Sequence, residues 1–502
     1  MRPEGVKMIF KTVPYKYQEE AVANGLKSLY DYNFLALFGE VGTGKTKIAI
    51  DIFSNLRQSC NHLVVICPKG LFGTWTKEIR RHSDISESKI YRWDKIKNQH
   101  AARSNTIINM LALSGYVFIV NIEAFQCQNS LLDKLMVDLA SKSAIVVLDE
   151  SVKIQTPSAK RSKKAVGCMN RFMYRIIMTG TDISSGPAAL YNQFLALNRT
   201  FWKTTGYSNY SVFKSCFTIS KKVYIQGGRQ IEAIKRMDEM SEIEKALQRT
   251  KLAHLNQIIR PYTIRILRKD CLDLPEQINV EVPIELSKEE SKVYRDMLRD
   301  CIAEINGESF EAISAISVFT KLRQITSGHC NDNFIHSIPS KLSWLIDDIE
   351  DHSENAIVVA YFHNDVEIIT EQLQKNGIDA RSYYGKNSSK ENEENKDLFE
   401  EGKLRILVAS HDMIAQGHNL QEHCSLMYIY SVSLNSEVNA QFKGRIDRNG
   451  QRKNPVFKYI LAQDTIDIKI HDMIEQKMDV QRVFSEMGKD RLISLIKGEQ
   501  ND

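Results

Sequence analysis

The residues with the clearest chemical potential are Gly39-Glu40-Val41-Gly42-Thr43-Gly44-Lys45-Thr46. They fit the spacing G-x-x-x-x-G-K-S/T. Glycines let such a loop curl so that its backbone N–H groups face phosphate oxygens, and the helix that follows adds the positive end of its dipole. On this reading Gly39, Gly42, Thr43 and Gly44 form the cradle, Lys45 neutralises the β- and γ-phosphates, and the Thr46 hydroxyl ligates Mg²⁺. A second constellation is Asp149-Glu150, which directly follows the apolar run Ala144–Leu148. Two adjacent carboxylates at the end of a buried strand repel each other and must be solvated or paired. Beside a phosphate loop the pair has a use: Asp149 supports the metal and Glu150 orients the attacking water. A third is Gln441 to Gln451, with Arg445 and Arg448 three residues apart. On a helix that spacing puts both guanidinium groups on one face, where they could spread the charge of a transferred phosphoryl group.

These groups need a scaffold. Short apolar runs recur at Leu35–Phe38, Leu63–Cys67, Val117–Val120, Ile145–Leu148 and Ile176–Met178, separated by stretches with helical periodicity. Runs that are apolar on both faces read as buried parallel strands, and their alternation with helices implies an α/β sheet. The pattern changes over 198–275, which is polar, aromatic and mostly helical, with a hairpin turn expected at Gln226–Arg229. Phe201, Trp202, Tyr207, Tyr210 and Phe213 read there as the core of a helical protrusion, with a base-stacking platform as the alternative. A second α/β unit is expected over 276–502. It has a strand at Glu281–Leu286, a helical insertion at about 287–330, and strands at Ala356–Phe362, Ile406–Ala409, Leu426–Tyr430 and Val456–Leu461. The charged stretch Ile466–Lys497 closes it as helix. The expected division is therefore 1–197, 198–275 and 276–502.

With 502 residues the chain exceeds what one core supports. The net charge of +5 permits a polyanionic partner without requiring one. No apolar run reaches the length of a bilayer span, and Met1 to Thr12 lacks the apolar core of a secretion signal. A soluble protein of the cytoplasm or nucleoid is expected. The nine cysteines form no C-x-x-C pair and read as reduced packing residues, so neither a zinc site nor a disulfide framework is expected; haem and flavin are not expected either.

The blocks, in their order, resemble the superfamily-two helicases, and within them the SWI/SNF-type DNA-translocating ATPases. Pro14-Tyr15-Lys16-Tyr17-Gln18 resembles the segment whose glutamine reads adenine, which implies that role for Gln18. Val65 to Leu71, followed by Trp75, resembles the strand and loop that touch the tracking strand, implying contacts from Pro68 and Lys69. Met178-Thr179-Gly180-Thr181 with Asn192-Gln193-Phe194 is similar to the coupling motif and the segment after it. Arg265–Asp270 and Leu322–Ile325 are similar to segments that link the lobes. Ser410 with Gly417-His418-Asn419-Leu420 resembles a second-lobe motif contacting nucleotide and DNA. The resemblance thus implies ATP contacts from Gly417 and Asn419, and nucleic-acid contacts from Ser410 and His411. Gln441, Arg445 and Arg448 match the arginine-finger motif, and Thr465-Ile466-Asp467 resembles a segment just beyond it.

The resemblance spans about Pro14 to Lys477 and implies two tandem RecA-like parallel-sheet lobes with helical insertions. It implies a monomeric motor that hydrolyses ATP with Mg²⁺ and tracks duplex DNA without sequence preference. A strand-separating DNA or RNA helicase fits the same residues. So does a nucleotide-switched factor docking on a polymerase or repair complex. Two departures stand out: Ser151-Val152 replaces the usual Ala or Gly followed by His, and position 444 is Gly where a larger residue is usual. A phage, viral or bacterial source fits as readily as a nuclear one.

Overall fold

The computed structural model describes residues 8–56, 59–96, 115–126, 129–180, 186–224, 230–235, 240–271, 275–306, 312–330, 333–415, 420–448 and 450–476. The chain divides into two compact units, Met1–Leu272 and Asp273–Asp502.

The first unit is built on seven parallel strands. They are β1 (Phe34–Gly39), β2 (His62–Cys67), β3 (Ile90–Arg92), β4 (Val117–Asn121), β5 (Ala144–Leu148), β6 (Tyr174–Thr179) and β9 (Thr263–Ile266), with β7 (Ser220–Tyr224) and β8 (Gln230–Ile234) forming a separate antiparallel pair. The sheet order is β3-β4-β2-β5-β6-β1-β9. Strands β1, β2 and β5 are buried at every residue, which is why their sequences run apolar without alternation. The edge strands β3 and β9 carry no such run: Ile-Tyr-Arg and Thr-Ile-Arg-Ile are half-exposed, and periodicity passed over them. Helix α1 (Lys16–Tyr32) buries Ala21, Val22, Leu26 and Leu29 along one stripe and stops at Asn33. Asn33 takes a left-handed conformation and returns its N–H to the Leu29 carbonyl. Helix α2 (Lys45–Leu56) begins directly after the glycine-rich loop and buries Ile48, Ala49, Ile52, Phe53 and Leu56.

The segment 198–275 is not a separate body. Phe201, Trp202 and Phe213 are buried in the same apolar core as β1, β4 and β5. Trp202 donates its indole N–H to the Tyr191 carbonyl at 2.7 Å. Phe201, Trp202 and Phe213 are core and offer no stacking face, while Tyr207 and Tyr210 are half-buried against that core. β9, at the far end of the segment, completes the first sheet beside β1. The expected three-part division is corrected to two units, because aromatic burial ties the segment to the first lobe. The hairpin turn expected at Gln226–Arg229 lies outside the described residues, but β7 and β8 on either side of it pair.

The second unit holds six parallel strands, β10 (Ile278–Ile284), β13 (Ala356–Ala360), β14 (Ala380–Tyr383), β15 (Ile406–Ser410), β16 (Leu426–Ile429) and β17 (Val456–Ala462). The order is β10-β17-β16-β13-β15-β14. A short antiparallel pair, β11 (His329–Cys330) and β12 (Asn333–Phe334), lies outside this sheet. Two helices, Lys288–Asn306 and Ala312–Thr326, occupy the expected insertion. The last described helix is Ile466–Glu475; the rest of the stretch expected as helix lies beyond the described residues. Among the described residues no helix is long and apolar enough to cross a membrane. Cys60, Cys67, Cys168, Cys301 and Cys424 are buried, and Cys216 is exposed.

Candidate active site

The glycine-rich loop leaves the carboxyl end of β1. Gly42 and Gly44 both sit at positive φ, 87° and 77°, a region that L side chains rarely adopt. A Cβ on Gly44 would also lie 2.4 Å from the Gln18 amide nitrogen. Thr43 is buried and donates its hydroxyl to the Glu40 carbonyl at 2.8 Å, which fixes the curl of the loop. The Lys45 ammonium donates to the carbonyls of Gly39 at 2.6 Å and Glu40 at 3.2 Å, across the mouth of the loop. Thr46 follows in the first turn of α2, half-buried.

Gln18 is placed by the N-terminus of α1. Its side-chain oxygen accepts the Tyr15 N–H at 3.1 Å and its amide donates to the Tyr17 hydroxyl at 3.3 Å. Tyr17 in turn donates to the Thr43 carbonyl at 3.1 Å. The glutamine and the phosphate loop are therefore one hydrogen-bonded unit, although 21 residues separate Gln18 from Gly39.

Asp149-Glu150 leaves the carboxyl end of β5, and Thr179-Gly180 that of β6, with β6 paired to both β5 and β1. Adjacent strands lie about 4.8 Å apart, so the loop and the acidic pair are roughly 10 Å apart across the sheet. Gly180 abuts the loop: a Cβ there would sit 3.5 Å from Val41 Cγ2 and 3.7 Å from the Lys45 ammonium. Thr179 is buried, and Thr181 lies outside the described residues.

Asp149 is buried. Its Oδ2 accepts the Trp75 indole N–H at 2.9 Å and its Oδ1 accepts the Glu150 N–H at 2.9 Å. Burial, and after it the neighbouring Glu150, push the carboxyl up to about 6, against the pull of Trp75 and Lys45. A divalent cation would remove the cost of ionising this group, so the donor set fits one. Glu150 holds φ 51° and ψ 52°, left-handed for a residue with a Cβ. Such a conformation costs on the order of 1–3 kcal/mol and persists only where its surroundings hold it.

Those surroundings include residues whose roles sequence reading missed. Helix α3 (Phe72–His82) carries Trp75 inward, 1% exposed. Trp75 therefore belongs to the Asp149 site and is corrected from the expected nucleic-acid segment, whereas Lys69 and Gly70, just past β2, are exposed. The turn Ser151–Ile154 is gripped at both ends by the helix Ala188–Leu197. Ser151 donates to the Gln193 side-chain oxygen at 2.6 Å, and Asn192 donates to the Ile154 carbonyl at 2.6 Å. All three side chains are buried. The unusual Ser151 thus makes a direct bond from the acidic pair's turn to the segment downstream of Thr179-Gly180.

In the second unit the helix Ser436–Lys443 ends before both arginines. The expectation that Arg445 and Arg448 share a helix face is corrected: turns follow Lys443, and neither arginine lies on a helix. Arg445 is buried and donates to the Ala415 carbonyl at 2.6 Å, bracing the segment that leads to Gly417 and Asn419. Gly417 and Asn419 themselves lie outside the described residues. Arg448 and Gln441 are half-buried.

Ser410 and His411 are also corrected. Both are buried, so neither offers its side chain to a polyanion from the surface. His411 donates from Nε2 to the Ser431 carbonyl at 2.6 Å, stacks on Phe442 and meets Tyr361 edge-on. Burial first, and the Arg323 guanidinium second, push its imidazole down to about 3. Its folded-state pKa lies below the unfolded value near 6.5. Its stabilising contribution is therefore whole above about pH 6.5 and is lost as pH falls towards 3. Thermal melts are expected to lose stability from pH 6.5 to 4.5, and His411→Gln to remove on the order of 2 kcal/mol of that loss. Identical pH slopes for both proteins would refute it.

The model of the SNF2-related domain matches residues 17–334, well over half of the chain. This chain belongs to the SNF2-related family. The helicase conserved C-terminal domain matches residues 340–450. Among curated relatives, an uncharacterised ATP-dependent helicase of Mycoplasma genitalium is 23% identical over 93% of this chain and 41% of its own length. The Caenorhabditis elegans homologue of SWI/SNF-related matrix-associated actin-dependent regulator of chromatin subfamily A-like protein 1 is 22% identical over 93% of this chain and 61% of its own length. The chain thus spans less than two thirds of either relative. Among solved structures, the Sulfolobus solfataricus SWI2/SNF2 ATPase core in complex with dsDNA aligns over 98% of this chain and 99% of that one, at 18% identity and a TM-score of 0.43. The SNF2-related match covers every site element of the first unit from Gln18 to Gln193, and the C-terminal match covers Gln441, Arg445 and Arg448.

Proposed function

We propose that this SNF2-related chain hydrolyses ATP in response to nucleic acid and uses the cycle to move along duplex DNA without sequence preference. The observation that carries the hydrolytic part is the gathering of three elements at the carboxyl ends of neighbouring strands. These are the phosphate loop after β1, Thr179-Gly180 after β6 and Asp149-Glu150 after β5. Ligands of open α/β sheets bind at that end. In this reading Gln18 holds adenine, the loop from Gly39 to Thr46 holds the phosphates, Thr46 and Asp149 hold Mg²⁺, and Glu150 orients water. Magnesium, when bound there, would supply positive charge that offsets the charge of the phosphates. Arg448 and Gln441 are assigned to the charge on the transferred group. Lys69 and Pro68 are assigned to the nucleic-acid backbone.

The test is the ATPase rate with no nucleic acid, with single-stranded DNA, with duplex DNA and with RNA. Strong stimulation by duplex alone supports the reading. Stimulation by single strands or RNA would point to strand separation, and no stimulation at all would leave a nucleotide-switched docking factor.

The Ser151–Gln193 bond carries its own expectation. Ser151→Ala and Gln193→Leu should each lower stimulated turnover about tenfold with ATP affinity unchanged. The double variant should be no slower than the worse single one, because both remove one bond. Fully additive losses would show that the two side chains act independently.

A further inference from the structure

From Ser151 to Ile231 the chain holds thirteen lysines and arginines against one acid, Asp182. That is a formal charge of +12 inside a chain whose total is +5, so the remainder is net acidic. The fold gathers part of this charge on one face. In the helix Lys160–Met169, Lys160, Lys163 and Lys164 are spaced three and four apart, so they share a side. Lys160 and Lys163 are exposed, as is Arg171 just past the helix end. Gly167 continues the stripe, and there a second segment supplies the cation: a Cβ on Gly167 would lie 3.3 Å from the Arg199 guanidinium. Asn170 clamps that segment in place. Its amide donates to the carbonyls of Val166 at 2.9 Å and Leu195 at 2.8 Å, and its oxygen accepts the Arg199 N–H at 2.9 Å. Lys153 joins from the turn behind Glu150, where Arg161 donates to its carbonyl at 3.0 Å.

We infer that Lys153, Lys160, Lys163, Arg171 and Arg199 form a nucleic-acid backbone-binding stripe, separate from the Pro68–Lys69 loop. It rests on the reading of this chain as a nucleic-acid motor. The occupant follows from the charge and from the shape. Nine residues of helical rise from Lys160 to Met169 give about 14 Å, close to four phosphate steps of one DNA strand, with Arg171 just beyond the end. The cations are exposed on a helix face and its flanks, a geometry that suits phosphate contacts, so the stripe is expected to read phosphate and not sequence. The same turn that offers Lys153 is anchored by Ser151 and Ile154 to the helix Ala188–Leu197, which ends just before Arg199. Binding on the stripe therefore bears directly on the segment that holds Glu150.

The test is binding of a fluorescent duplex of arbitrary sequence by the full chain, across a salt series. Lys160→Glu/Lys163→Glu should weaken Kd at least about tenfold at low salt and flatten the log Kd against log salt slope by about two. The milder Lys160→Gln/Lys163→Gln should show the same slope change, and Lys160→Arg/Lys163→Arg should restore wild-type binding. ATP affinity and turnover without nucleic acid should not move. Unchanged Kd and slope in both charge-altering variants would overturn the stripe while leaving the motor reading intact. Loss of poly-glutamate binding with duplex binding intact would reassign the face to an acidic protein, and overturns it too. A wild-type chain that neither binds nor responds to any nucleic acid would instead bring down the motor reading itself.

Discussion

Glu150→Gln should reduce ATP turnover by about 10³-fold, roughly 4 kcal/mol of barrier, while ATP still binds. The substitution preserves the shape of the side chain and removes its charge and its basicity. The fold makes this a clean test. The backbone of Glu150 is held left-handed by contacts of its neighbours: its own N–H to the Asp149 carboxylate, and Ser151 to Gln193. None of these depends on the Glu150 carboxylate. Losing the charge beside Asp149 also removes a force that pushes the Asp149 carboxyl up. Asp149 should therefore ionise more readily, and nucleotide affinity should hold or rise. Binding of a fluorescent ATP analogue together with single-turnover hydrolysis checks both halves. Near wild-type turnover would show that another group orients the water, and the role given to Glu150 would be lost.

Arg448→Ala should be the other large effect, about 10³–10⁵-fold in turnover with ATP binding spared, as expected for an arginine acting on the transferred phosphoryl group. Arg448→Lys should recover little, because an ammonium lacks the planar fork of the guanidinium. Arg445→Ala should behave differently. Its guanidinium is buried against the Ala415 carbonyl, so its loss leaves that acceptor without its partner inside the second unit. The expected cost is about 1–3 kcal/mol of stability, seen as a lower Tm. Calorimetry beside steady-state ATPase separates the two. If Arg448→Ala turned over normally and Arg445→Ala did not, the finger would have to be moved to Arg445.

Much of the phosphate site was legible because its chemistry is local. A loop that curls round phosphate needs glycines at set offsets, and a lysine and threonine where its helix begins. The acidic pair announced itself as two carboxylates ending a buried apolar strand. Buried strands were legible for the same reason, since burial on both faces leaves an unbroken apolar run. Edge strands such as Ile90–Arg92, Thr263–Ile266 and Ala380–Tyr383 left no such mark, because one side of each is half-exposed.

The sequence by itself determined the two α/β units, the phosphate loop, the acidic pair and the candidate arginines. Only the tertiary structure decided what surrounds them. It turned Trp75 inward to Asp149, buried His411 against Phe442, and set Arg445 to brace a carbonyl while Arg448 remained half-exposed. It also joined Ser151 to Gln193 and brought Arg199 over Gly167. Each of these pairs lies far apart along the chain or turns on which way a side chain faces. Periodicity reports only which face of an element is buried, whereas partners across a core are selected by packing and by the need to satisfy buried polar groups.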